Sequence, residues 1–167
     1  MKLNLTRRMF IGGLLSSGLA GCQSAGPAKQ FENVRPKFDW GFIRFSEVRA
    51  FRLNWDKKGA TEPFKSSDGK LNSTLLPTEG IKLNDQQVKT LKRATTREYG
   101  KAPLPMRFSP HHAFAFYDQG RMVGYLEICF LYNEHHQVPD GFSSSWDMTE
   151  IRGLLIDLGI PLANYDW

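Results

Sequence analysis

The stretch Ala113-Phe114-Ala115-Phe116-Tyr117-Asp118-Gln119-Gly120-Arg121-Met122-Val123-Gly124-Tyr125-Leu126-Glu127-Ile128-Cys129-Phe130-Leu131-Tyr132 decides the fold. Two β-prone runs, 113–118 and 122–132, flank the polar pair Gln119-Gly120, which is a hairpin signal. Both runs are apolar on both faces. Strict alternation puts Phe114, Phe116, Val123 and Tyr125 on one face, and Tyr117, Leu126, Ile128 and Phe130 on the other. A strand pair of this kind belongs at the centre of a sheet, covered on both sides. If Gln119-Gly120 closes a two-residue turn, Asp118 opposes Arg121, and counting back along the strands pairs His112 with Glu127.

Outward from this pair the signals change period. Phe51, Leu53 and Trp55 alternate with Arg52 and Asn54, a half-buried strand pattern within an aromatic segment that begins at Trp40. Residues 56–80 are polar and read as loop, with a short strand near Leu75-Leu76. Asn84 and Gln87 have capping-box spacing, and Leu83 with Val88 forms a hydrophobic staple, so a helix starts here. Gly100 is a suitable stop. Lys89, Arg93 and Arg97 place a basic stripe on its outer side. A second helix starts at Asp147, with Glu150 completing a capping box and Trp146 with Ile151 as staple. Its apolar stripe is Met148, Ile151, Leu154, Leu155 and Leu158, and Gly159 with Pro161 ends it. The expected fold is a small single α+β domain, with a central antiparallel hairpin or sheet and two helices, over residues 37–167.

The 167 residues are 41% hydrophobic and 23% charged, values of an ordinary globular chain. No stretch of about 20 residues is continuously apolar. The N-terminus has a different character. Lys2, Arg7 and Arg8 form a positive head, and a Gly- and Ser-interrupted apolar run of about eleven residues follows. Thr6-Arg7-Arg8-Met9-Phe10-Ile11 resembles the twin-arginine export motif, and Leu19-Ala20-Gly21-Cys22 resembles a bacterial lipobox. The resemblance implies export by the twin-arginine translocase, removal of residues 1–21 and acylation of Cys22. Each buried methylene of an acyl chain contributes about 0.8 kcal/mol to membrane attachment. Residues 22–36 then read as a lipidated cysteine and flexible tether. Gln23, where an Asp would imply inner-membrane retention, favours the outer membrane of a Gram-negative envelope, on its periplasmic side.

Processing also changes the charge. Lys+Arg falls from 22 to 19 while Asp+Glu stays at 17, so the net charge drops from +5 to +2. That balance gives no basic footprint for nucleic acid, and none is expected as a partner. With Cys22 acylated, Cys129 has no second cysteine for an internal disulfide, and a buried strand position accounts for it.

The four histidines, His111, His112, His135 and His136, bracket the proposed hairpin at its open end. Together with Cys129 they are the candidate metal ligands, and imidazole with thiolate suits zinc or copper. No compact zinc-ligand spacing is present, adjacent strand residues face opposite ways, and His135-His136 reads as loop, so no cofactor is expected. Cys129 with His112 as base and Glu127 as orienting group has the residue types of a nucleophilic site. A thiol between Ile128 and Phe130 is more consistent with an inert core position. Ser143-Ser144-Ser145 lacks a nucleophile-elbow context, and no phosphate-binding or dinucleotide glycine motif occurs.

The segment from Ser109-Pro110-His111-His112 through Phe116-Tyr117-Asp118 to Ile128-Cys129-Phe130 resembles a group of uncharacterised bacterial proteins. In these, Pro-x-His precedes a strand ending Phe-Tyr-Asp, and a second strand carries Ile-Cys-Phe-x-Cys. The resemblance covers roughly thirty residues. The group's second Cys falls at Tyr132 here, and an upstream Cys falls near Arg107, so any metal or disulfide they serve is lost in this chain. The group implies no activity and marks His112 and Cys129 as the positions to follow. The sequence therefore points to a lipid-anchored envelope protein acting by binding or structural contact with an unidentified partner. A zinc- or copper-binding protein is the alternative, and an enzyme ranks third.

Overall fold

The structure is a computed structural model and describes residues 40–55, 61–96, 108–142 and 145–162. The signal segment, Arg7, Arg8, Cys22, the tether, Arg97, Gly100 and two of the three serines, Ser143 and Ser144, lie outside the described residues. After a 3-10 turn at Trp40–Phe42 come β1 (Glu47–Arg52), β2 (Leu76–Lys82), α1 (Asp85–Thr96), β3 (His112–Asp118), β4 (Arg121–Cys129), β5 (Glu134–Val138) and α2 (Met148–Asp157). The strands form one antiparallel sheet in the order β2-β1-β3-β4-β5. With its two helices this is a small α+β domain.

One face of the sheet carries the main core. Val48, Ala50, Phe114, Phe116, Leu126 and Ile128 pack with Leu91 and Ala94 of α1 and with Met148, Ile151, Leu154 and Leu155 of α2. The opposite face carries Phe51, Ala113, Ala115 and Tyr125, covered by Leu53, Phe64 and Leu75. β3 is therefore buried on both sides, which explains its near-continuous apolar sequence. Phe64 is held over this second face by a buried amide network. Asn54 Nδ2 donates to the carbonyls of Glu62 and Pro110, and Asn72 Nδ2 donates to Asn54 Oδ1 and to the carbonyls of Glu62 and Pro63. Asn54 takes the left-handed conformation, φ 54°, which Asn tolerates better than most residues.

The face assignment expected from strict alternation is corrected here. At the turn Asp118 opposes Arg121 and Tyr117 opposes Met122, but the next pair is Phe116 with Gly124. Val123 is the extra residue of a β-bulge, and a one-residue slip exchanges the faces of everything beyond it. Leu126, not Tyr125, lies opposite Phe114, and Ile128, not Glu127, lies opposite His112.

Two further expectations differ. Residues 134–138 form an edge strand rather than a loop. They pair with β4 from Tyr125↔Val138 to Cys129↔Glu134, and β4 itself stops at Cys129. The strand near Leu75-Leu76 extends to Lys82 as the opposite edge.

The α1 capping box is present in both directions. Gln87 N–H donates to Asn84 Oδ1, and Asn84 N–H donates to Gln87 Oε1, both at 2.9 Å. The α2 box is half formed. Asp147 Oδ1 accepts from Glu150 N–H at 2.9 Å, but Asp147 N–H donates to Ala94 carbonyl at 2.8 Å, and the Glu150 carboxylate pairs with Arg93. The second half of the box is given up to tie α2 to the end of α1.

Candidate functional site

The sheet register arranges the histidine end in two rows. On the helix side Arg52, His112, Ile128 and His135 are successive neighbours across β1, β3, β4 and β5. On the other side the row is Ala113, Glu127 and His136. His112 and Glu127 thus face away from each other. Cys129, two residues beyond Glu127 on β4, shares the Glu127 side. The nucleophilic arrangement of Cys129, His112 and Glu127 is not assembled, because the bulge at Val123 separates its base from its other two members.

His112 is fully buried. Its Nε2–H donates to Pro161 carbonyl at 3.1 Å, and its ring meets the Phe130 ring edge-on at 5.3 Å between centroids. Because a carbonyl only accepts, this bond fixes the proton on Nε2. Burial lowers the His112 pKa from 6.5 to about 4, with further downward pressure from His111, Arg52 and Arg152. His111 is also buried, and burial lowers its pKa, opposed by a bond to the Ser109 backbone. Its N–H and carbonyl extend the ladder to Ile128 carbonyl at 3.1 Å and Leu53 N–H at 2.9 Å. His135 stacks on Trp146, with centroids 3.6 Å apart and planes 20° from parallel. Cys129, at the end of β4, has no exposed surface.

His136 is the exception to this structural use. It is half exposed, and its Nδ1 lies 2.6 Å from Oε2 of Glu127, which is 1% exposed. The other oxygen, Oε1, accepts the Phe64 N–H. Phe108 and Tyr125 flank the imidazole edge-on, 6.4 and 6.1 Å away. A buried carboxylate thus orients an exposed imidazole, an arrangement common to general bases and to metal ligands. Among the described residues, no group of three or more His, Cys, Asp or Glu is placed to hold a metal ion.

Elsewhere several charges are paired locally. A cleft of about 430 Å³ at the turn end of the sheet is lined by Glu47, Arg49, Glu79 and Tyr117. Lys82 and Arg49 both bond the Glu47 carboxylate and lower its pKa. Arg93 of the expected basic stripe pairs with Glu150. Sequence reading passed over Arg52 and Arg152. The Arg52 guanidinium lies 4.3 Å from the Trp55 ring centroid, and that of Arg152 lies 5.0 Å from the Phe130 centroid. The available signal was an arginine three residues from a tryptophan at the end of a strand; nothing local marks Arg152 on its helix. Comparison with protein-family models, with curated proteins and with solved structures found no match.

Proposed function

We propose that the chain is a lipid-anchored lipoprotein of the bacterial cell envelope, and that its α+β domain acts as a binding or structural module. The observation that carries this reading is Leu19-Ala20-Gly21-Cys22 at the end of a short apolar run that follows Arg7-Arg8. In this reading the twin-arginine translocase exports the chain, Cys22 receives lipid, and the domain faces the periplasm, with the outer membrane favoured. No helix of the described residues is long and apolar enough to cross a membrane. The site geometry supports a module over an enzyme, since His111, His112, His135 and Cys129 are taken up by packing. Acylation of Cys22 is the direct test, because a Cys22→Ser chain should leave the membrane fraction.

One observation favours a second reading, zinc or copper binding centred on His136. A metal-bound histidine characteristically gives its other ring N–H to a carboxylate, and Glu127 occupies that position. Zinc titration of the full chain tests this. Stoichiometric submicromolar binding lost in His136→Ala supports it; weaker binding, or binding that survives the substitution, rejects it.

A further inference from the structure

We propose that Arg52 and Arg152 form a binding site for a phosphate-bearing ligand at the histidine end of the helix-side face. The two residues are joined through a short chain of contacts. Arg52 is the register partner of His112 in the β1–β3 pair. The His112 ring meets Phe130, and the Arg152 guanidinium lies over that same Phe130 ring. Both guanidiniums are close enough to lower the pKa of His112.

Partial burial without a carboxylate partner sets them apart. Arg49 and Arg93 have carboxylate partners, Glu47 and Glu150, and Arg44 and Arg121 are exposed. Among the described residues no carboxylate pairs with Arg52 or Arg152, and their contacts are with aromatic rings. Both are only partly exposed, and Nε of Arg152 is buried without a hydrogen-bond partner. A half-buried guanidinium with an unmade bond is costly, and such groups are ordinarily satisfied by something. Contact with the rings restricts guanidinium motion, so less entropy is lost when an anion binds. The guanidinium fork fits both carboxylate and phosphate, but two such cations together match the several acceptor oxygens of a phosphate group better than the two of a single carboxylate. His112 gives its Nε2–H to Pro161 and stays neutral, so it shapes the site without adding charge.

The test is titration of the full chain with inorganic phosphate, followed by Trp emission, since Trp55 lies against Arg52. A Cys22→Ser chain is mixed in parallel with phosphatidylglycerol and phosphatidylcholine vesicles. Saturable phosphate binding that weakens roughly tenfold or more in Arg52→Gln or Arg152→Gln supports the site. Arg152→Lys keeps the charge and the packing stem and should lose a smaller share. Phosphate binding without preference for phosphatidylglycerol identifies a free phosphate ligand. Phosphatidylglycerol preference lost in the double Gln variant identifies a lipid headgroup. Absence of saturable binding to phosphate and to either vesicle overturns the proposal. So does unchanged affinity in a double variant that keeps the native circular dichroism and melting curve.

Discussion

His112 is a base that the fold keeps neutral. Its pKa falls from 6.5 in an exposed chain to about 4 in the folded one, mainly through burial. Between these values the unfolded chain takes up a proton that the folded chain refuses. Its contribution to stability is therefore fully present above pH 6.5 and is lost as pH falls toward 4. The loss amounts to about 1.4 kcal/mol per pH unit at most, and on the order of 3 kcal/mol across the window. His111, lowered by the same cause, acts in the same direction. Urea unfolding across this range should show stability falling with acid. A His112→Gln chain should be less stable at pH 7 and show a flatter acid slope. An unchanged slope in that variant would show that His112 does not titrate as described. The burial of Cys129 was legible from its apolar neighbours. The pairing of Glu127 with His136 was not, because it depends on a register that local sequence does not fix.

At the scale of elements, the bulge at Val123 decides which side chains meet. The Gln119-Gly120 turn, both helices, the α1 capping box and the Asp147 cap can be read from local residue types, because their causes lie within four residues of one another. A bulge has no such local cause. It adjoins Gly124, where a Cβ would come within 2.6 Å of Val138 carbonyl oxygen and of Ile43 Cδ1. Gly124→Ala should destabilise the domain by about 1–3 kcal/mol through overpacking, read as a lower denaturation midpoint. A neutral effect would mean that β5 and the 3-10 turn approach β4 less closely than described. β5 escaped sequence reading because Glu134-His135-His136-Gln137-Val138 is a polar edge strand with no apolar alternation. Glu150 shows tertiary context overriding a local motif. Its carboxylate goes to Arg93 of α1 rather than back to its own cap.

For the whole molecule, composition and pattern were enough to give a two-helix α+β domain, and the structure has that architecture with a five-stranded sheet. They did not give the two half-buried arginines, Arg52 and Arg152, which share the neighbour His112 only when β1, β3 and α2 meet at one end of the sheet. The same end holds the four histidines, three of them engaged in packing and one turned outward on a buried carboxylate. The measurement that tests this account most directly is incorporation of an alkyne-tagged palmitate into the full chain expressed in a bacterium, followed by membrane isolation. The account predicts label on the wild-type chain in the membrane fraction and none on Cys22→Ser. An unlabelled wild-type chain, or label that persists in the Ser variant, would contradict it.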